Sequence, residues 1–265
     1  MPTPVYRLLI IGLLCLAPLT CNPGWASDID TGDTGTKVFT VAAYEWPPFA
    51  SHDAKYFGIA PRIVSEILQN QGIEVKYRFM PWPGALDGII TEKFDGALVW
   101  VTEDMHHEAF LISNPILEHR TALYYRKGIP APKDANDLMG YRMGVNSHYV
   151  YDLKSYRLLK DRFVESVNGD SDIVQFHNLI DGKIDFYLTP ILTSAPLLRS
   201  NFTADEQNRL TYSTNLFKFP SAYLIVNRHR EGSDEFIAEF NKRLDRMKND
   251  GVIDRYTDDV RFMPH

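Results

Sequence analysis

The stretch VAAYEWPPFA, residues 41–50, combines a short apolar run with an aromatic turn that contains two prolines. Small apolar residues in succession are typical of a strand that is buried on both faces, as in a parallel sheet. Pro47 and Pro48 cannot continue a central strand, so Trp46 and Phe49 are predicted to lie in the loop at its carboxyl end. In open α/β sheets, ligands bind at that edge. The two rings therefore either contact a ligand or close the protein's own core.

The residues after this turn alternate between helix and strand patterns. Apolar residues recur at helical spacing from Ile59 to Leu68, and Gly72 follows at a position where helices commonly end. The predicted strands are 38–44, 75–80 and 95–101, and the predicted helices are 59–72 and 84–94. This β-α-β-α-β order predicts an α/β fold with a mostly parallel sheet that is covered by helices.

The same pattern starts again in the second half of the chain, after a proline-rich stretch that marks a crossing into a second lobe. The predicted elements are strands at 121–128, 141–147, 184–190 and 221–228 and helices at 149–163, 170–183 and 234–251. The last strand is predicted to return to the first lobe. Lobe 1 then comprises 37–122 plus 222–265, and lobe 2 comprises 123–221. Two crossings form a hinge, which allows the lobes to close around a ligand.

The N-terminus has the features of an export signal. Arg7 precedes an apolar run of about a dozen residues, and small residues follow at Gly24 and Ala26. The run is shorter than the roughly 20 residues that span a bilayer, although an uncleaved membrane anchor is the alternative. We predict a signal peptide at 1–26, a polar spacer at 27–36 and a periplasmic location.

Composition and motifs argue against several classes of function. Both cysteines, Cys15 and Cys21, lie in the leader, so the mature chain is predicted to have no disulfide, zinc–thiolate site or cysteine nucleophile. The net charge of −6 and the absence of a basic tract give no reason to expect nucleic-acid binding. No serine-hydrolase, zinc-protease or phosphate-loop motif is present, and His106 and His107 point in different directions on a helix. We therefore predict no catalytic residue, metal or cofactor.

Taken together, the motifs resemble the extracellular solute-binding proteins of family 3, the polar amino-acid binding group of ABC transporters. The matching segments are YEWPPF (44–49), FGIAPRIVSEIL (57–68), PWPGALDGIITEKFDGAL (81–98), ISNPI (112–116), DLMGYRMGVNS (137–147), LIDGKIDFYL (179–188) and MKNDGVIDRY (247–256). The resemblance implies an α/β, two-lobe, periplasmic-binding-protein-like fold of type II with two hinge crossings. It further implies a monomer without catalytic activity that holds a small polar solute and serves an inner-membrane permease or a sensor protein.

The first lobe departs from the family at its ligand clamp. The family normally carries an arginine before the ISNPI-like segment, and its planar guanidinium binds a ligand carboxylate. No arginine occurs between Phe94 and His119, and counting along the segment places His106 or His107 at that position. A charged imidazole replaces a bidentate guanidinium only in part.

The second lobe departs as well. Asn146, Ser147, His148 and Tyr149 replace the usual Gly-Thr pair beside a helix N-terminus, although Ser147 can still cap that helix. Thr189 stands where an aspartate usually pairs with the ligand's ammonium group. Both partners of an amino-acid zwitterion are missing from their expected positions, which argues against an ordinary amino-acid ligand.

The remaining candidates for ligand contact follow the ends of predicted strands. Tyr44 and Trp46 have polar tips that suit a solute, and Trp100 ends another strand. Thr102 and Glu103 come directly after it, and an inward Glu103 would favour a cationic or hydroxyl-bearing ligand. The full set of predicted ligand-binding residues is Tyr44, Trp46, Trp100, Thr102, Glu103, His106, Ser147, His148, Tyr149 and Thr189.

These features predict a periplasmic protein that closes two lobes around a small polar solute for an ABC-type importer. One alternative is a sensory or partner-binding descendant of the same fold without a transport role, which the altered clamp positions favour. Another is an exported enzyme on this scaffold. Turnover that depends on Glu103 and His106 would identify the enzyme, and a neighbouring permease gene would argue for transport.

Overall fold

A computed structural model describes residues 37–101, 108–147, 149, 151, 165–214, 216, 217 and 219–262, without the side chains of 82, 100, 101 and 259–262. The strands are β1 (Lys37–Ala43), β2 (Ile73–Phe79), β3 (Gly96–Val101), β4 (Phe110–Ile112), β5 (Thr121–Arg126), β6 (Arg142–Asn146), β7 (Glu165–Gly169), β8 (Phe186–Pro190), β9 (Leu210–Thr214) and β10 (Ser221–Asn227). The α-helices are α1 (Ile59–Gln69), α2 (Trp82–Ile90), α3 (Asp172–Ile180), α4 (Ile191–Asn201), α5 (Ala204–Asn208), α6 (Ser233–Asn249) and α7 (Val252–Phe262).

The strands form two five-stranded sheets, one in each lobe. Their orders are β2-β1-β3-β10-β4 and β7-β6-β8-β5-β9. In each sheet, four strands run in one direction and one strand, β10 or β5, runs against its two neighbours. The predicted two-lobe α/β fold with mostly parallel sheets is confirmed.

The two reversed strands show where the lobes meet. β5 and β10 are the strands by which the chain enters a sheet from the other lobe. The first residue of β5, Thr121, lies opposite Pro190 at the end of β8, and Ser221 of β10 lies opposite Val101 at the end of β3. The parallel strands of both sheets therefore direct their carboxyl ends toward the crossings. The exact lobe boundaries predicted from the sequence stay a proposal.

Each lobe has a buried aspartate that precedes one strand and contacts a neighbouring parallel strand: Asp95 precedes β3 and contacts β1, and Asp185 precedes β8 and contacts β6. The Asp95 carboxylate accepts from the Thr40 N–H at 2.7 Å and from the Arg230 guanidinium at 2.5 Å. The Asp185 carboxylate accepts from the Arg142 N–H at 3.0 Å, and the guanidinium groups of Arg142 and Arg126 lie 2.9 and 3.0 Å away. These contacts give a physical reason for the acidic residue in the FDGAL and GKIDF segments.

Most predicted elements are found within a few residues of their expected ends, but several elements were missed. β4 has only three residues, FLI, which is too short for a periodic pattern, and β7 reads ESVNG with mostly exposed residues and no apolar run. α4 contains Pro196, which breaks a helical pattern in sequence. The helix predicted at 149–163 lies outside the described residues, apart from Tyr149 and Tyr151, which have no regular secondary structure.

Within the part of the chain that the structure describes, no helix combines the length and apolar character needed to cross a bilayer. The predicted leader at 1–26 and spacer at 27–36 lie outside that part.

Candidate ligand-binding cleft

The turn after β1 is held in place by backbone hydrogen bonds. The Trp46 N–H donates to the Ala50 carbonyl at 2.7 Å, and the Phe49 carbonyl accepts from the Ala60 N–H at the start of α1 at 2.9 Å. This contact requires Gly58, which has a φ of +100° and whose added Cβ would lie 2.8 Å from the Phe49 carbonyl oxygen. The Phe49 carbonyl therefore accepts a hydrogen bond from a backbone N–H group in the first turn of α1, and this contact fixes the direction of both aromatic residues.

The two rings of this turn have different roles. Phe49 is fully buried in the core of the first lobe. Trp46 is half-buried, and its ring centroid lies 5.0 Å from that of His119 and 5.5 Å from that of Tyr149. It also lies 6.4 Å from the ring of Phe219. Since His119 and Phe219 precede β5 and β10, Trp46 contacts both crossings as well as the second lobe.

A cavity of about 620 Å³ lies beside Trp46 and is lined by both lobes. Its volume is within the usual range for small-molecule sites. The first lobe contributes Trp46, Pro47, Pro48, Ala54, Lys55, Tyr56, Gly58, Ile59, Arg62 and Tyr256. The second lobe contributes Tyr149, Asp172, Leu192, Thr193, Pro196 and Leu197. The cavity thus combines aromatic and apolar walls with a few polar groups.

Asp172, the first residue of α3, presents a buried carboxylate at this cavity. Its Oδ2 accepts from the Tyr149 hydroxyl at 2.6 Å, and its Oδ1 accepts from the Tyr187 hydroxyl and from the Thr189 hydroxyl at 3.1 Å. Burial, together with the Asp172 charge, raises the pKa of Tyr149 and of Tyr187 well above the ordinary range. Both phenols therefore stay protonated at neutral pH and donate to the carboxylate.

α3 is anchored so that Asp172 keeps this position. The side chain of Gln175, one turn further along, is fully buried and donates to the carbonyls of Val145 at 2.7 Å and Val167 at 2.8 Å. A Cβ on Gly144 or Gly169 would come within 2.7 Å of the Gln175 side chain. The two glycines thus allow α3 to approach the ends of β6 and β7 closely.

Two further polar groups have buried atoms without a hydrogen-bond partner among the described residues. The His119 ring, whose two nitrogens are such atoms, packs against the rings of Phe49 and Phe219, and burial lowers the pKa of His119 to about 3. The imidazole is therefore neutral. Thr193 lines the second-lobe side of the cavity, and its hydroxyl oxygen is itself buried.

The first-lobe side of the cavity carries positive charge. The Arg62 guanidinium stacks on the Tyr256 ring at 3.5 Å from the centroid and faces the Tyr56 ring at 4.8 Å. The Lys55 ammonium group lies 4.9 Å from the Tyr56 centroid. The cavity therefore has a carboxylate on the second lobe and two cations on the first.

The predicted contact residues fall into three groups. Trp46 and Tyr149 line the cavity, and Thr189 is buried against the Asp172 carboxylate. Tyr44 is 36% exposed and lies outside the lining of this cavity, while Ser147 is exposed and its N–H donates to the Gly169 carbonyl at 3.1 Å. The remaining predictions lie outside what the structure describes: the Trp100 side chain and the residues Thr102, Glu103, His106 and His148.

Sequence reasoning missed Asp172, Tyr187 and Arg62. An acid just after Ser171 at a predicted helix start fits an ordinary first helical turn, so it carries no separate signal. The family pattern has an aspartate at the position that Thr189 occupies here. The structure places the Asp172 carboxylate 3.1 Å from the Thr189 hydroxyl.

In the described ranges, no group of three or more His, Cys, Asp or Glu side chains is arranged to hold a metal ion. The His106–His107 pair, which the sequence already disfavoured as a metal site, lies outside those ranges.

Two α/β lobes, each with one reversed strand at the crossings and with a shared cavity between them, define a binding protein of the two-lobe, type II periplasmic class. The model of the bacterial extracellular solute-binding proteins, family 3, matches residues 39–259. The chain therefore belongs to this family.

Individual relatives are distant in sequence. The L-cystine-binding protein TcyA of Bacillus subtilis (strain 168) is 22% identical over 222 residues, which cover 82% of this chain and 78% of TcyA. The unliganded, open L-cystine solute receptor of Neisseria gonorrhoeae has a TM-score of 0.63 at 21% identity, covering 84% of this chain and 92% of the receptor. The VFT2 domain of Bordetella pertussis BvgS has a TM-score of 0.61 at 18% identity, covering 83% and 93% of the two chains. At these sequence identities, the structural similarities show a shared fold.

Proposed function

We propose that this chain is a periplasmic, non-enzymatic solute-binding protein that closes its lobes on a small polar solute and delivers it to an ABC-type importer. The observation that carries the proposal is the cavity of about 620 Å³ that both lobes line at the carboxyl ends of their strands. A solute in that cavity would contact both lobes at once. Its binding free energy would therefore favour the closed arrangement over the open one.

Several details of the proposal rest on the sequence. The leader at 1–26 directs export, the mature chain acts as a monomer, and the lobe boundaries are those given above. Trp100, Thr102, Glu103, His106 and His148 are further ligand contacts that the sequence predicts. The L-cystine-binding relatives suggest amino acids and their derivatives as the first solutes to test.

A matching solute is expected to raise the midpoint of thermal unfolding. Binding to the folded state at 100 times Kd contributes about 2.7 kcal/mol, or roughly 5–10 °C for a chain of this size. Thermal-shift screening of a metabolite panel measures this. Small-angle X-ray scattering with the best solute should then show a smaller radius of gyration. A panel without any stabilising solute would count against the proposal.

An importer role predicts a loss of uptake. Deletion of the gene is expected to abolish cellular uptake of the radiolabelled solute at micromolar concentration, and the wild-type gene should restore it. A sensory or partner-binding role is the second candidate, because solved structures with this fold include a BvgS domain and because no arginine lies between Phe94 and His119. Unchanged uptake with altered transcription on solute addition would favour that candidate.

A further inference from the structure

The Asp172 carboxylate is buried and has no positively charged partner among the residues that the structure describes. Its residue is only 9% exposed, and its side-chain hydrogen-bond partners among the described residues are the three hydroxyls of Tyr149, Tyr187 and Thr189. None of the ion pairs in the described part of the chain includes it. Burying an unpaired carboxylate costs free energy, so buried charges in proteins are generally paired.

The helix start explains the residue type but leaves the side-chain contacts unexplained. An acid in the first turn of a helix interacts favourably with the helix dipole. The capping role at α3, however, belongs to Ser171, whose hydroxyl accepts from the Val174 N–H at 3.3 Å. The Asp172 carboxylate instead contacts side chains from other elements and lines the cavity.

The hydrogen bonds leave room for one more donor. A carboxylate offers about four acceptor positions, and three of them are occupied here. Oδ1 accepts two bonds and Oδ2 accepts one. The remaining position on Oδ2 suits a single charge-assisted hydrogen bond from a cationic N–H group.

The neighbouring walls favour a cation as well. Trp46 and Tyr149 line the same cavity, and the faces of such rings attract organic cations.

We propose that Asp172 binds a protonated nitrogen of the solute and so limits the ligands to cationic or zwitterionic molecules. This inference rests on the proposed binding function and assigns the solute's chemical class. Asp172 on α3 takes over the negative charge that the sequence comparison expected at position 189, which makes amine-bearing solutes suitable despite Thr189. Lys55 and Arg62 supply positive charge for an anionic group of a zwitterion.

The test compares each amine with its acetylated counterpart on the wild-type protein. The probes are L-glutamine, L-cystine and 1,4-diaminobutane, with N-acetyl-L-glutamine, N,N′-diacetyl-L-cystine and N,N′-diacetyl-1,4-diaminobutane as matched solutes without a protonated amine. Citrate and glucose represent solutes without nitrogen. Binding is measured by isothermal titration calorimetry. Acetylation of a solute that binds should weaken its affinity by at least about 30-fold, because a buried charge loses its partner.

The substitution Asp172→Asn should weaken the affinity for the amine by at least about 30-fold. Asp181→Asn, at the exposed end of the same helix, is the matched control and should stay within about twofold of the wild type. Circular dichroism and the unfolding midpoint report whether each variant folds. If Asp172→Asn does not fold, the wild-type comparison of amines with acetylated solutes still decides the question.

Two results would overturn this inference while leaving the proposed function intact. One is equal affinity for an amine and its acetylated counterpart, or tight binding of citrate or glucose. The other is an Asp172→Asn variant that folds and keeps wild-type affinity for the amine. Failure of every solute in this panel and in the thermal-shift panel would instead contradict the binding function itself.

Discussion

Replacing Trp46 with alanine is expected to weaken solute binding by about 100-fold or more. Buried aromatic anchors at the centre of a binding site typically account for effects of this size. The indole is well placed to be such an anchor, since it lines the cavity and lies 5.0–5.5 Å from the rings of His119 and Tyr149. Its removal would take away both a wall of the site and a contact between the lobes.

Titration calorimetry with the best solute from the screen measures this loss. Tyr44→Ala is the matched control, because Tyr44 belongs to the same turn region but is exposed and lies outside the cavity lining. Trp46→Phe should keep part of the affinity through the remaining ring. If Trp46→Ala folds and binds as tightly as the wild type, the indole only fills space between the lobes.

Replacing Asp185 with asparagine is expected to lower the free energy of unfolding by about 3 kcal/mol at neutral pH. The carboxylate is the shared partner of the Arg126 and Arg142 guanidinium groups and of the Arg142 N–H. Its loss would leave both arginines without their anion at the point where β5, β6 and β8 meet. Urea denaturation at pH 7 measures the effect, and Asp181→Asn should cost less than about 1 kcal/mol.

The same variant should reveal a pH dependence. Burial works to raise the pKa of Asp185, but the hydrogen bonds from Arg142 and Arg126 outweigh it and hold that pKa below its ordinary value of 3.8. The folded state therefore binds this proton less readily than the unfolded state. The stabilisation is fully present above about pH 4 and is lost as the pH falls through the lowered pKa. A difference between wild type and Asp185→Asn that stays constant down to pH 2 would contradict this assignment.

Much of the fold follows from local sequence, and the reasons are visible in particular residues. Val41 to Ala43 are fully buried, as the apolar run predicts, and the strand ends at Ala43, before the two prolines. The periodicity of α1 places Ile63 and Ile67 in the core. β7 was missed because its pairing with β6 depends on a neighbouring strand rather than on its own mostly exposed residues.

The candidate site was less predictable than the fold. The sequence alone could place Trp46 and Phe49 in one turn. Only the packing around Gly58 shows that Phe49 lies in the core and that Trp46 lies in the cleft. The role of Asp172 depends on hydroxyls that come from three other positions along the chain, of which Thr189 is 17 residues away. Such a cluster has no sequence spacing of its own, because tertiary structure assembles it.

The position of β10 within the first sheet has a consequence for how the chain folds. All strands of the second sheet lie within 121–214, so that sheet can pair without any other part of the protein. The first sheet needs Ser221–Asn227 between β3 and β4, and the Val101–Ser221 contact closes a loop of about 120 residues. Pairings this distant in sequence form slowly. The first lobe can therefore complete its native sheet only after nearly the whole polypeptide, up to β10, is present.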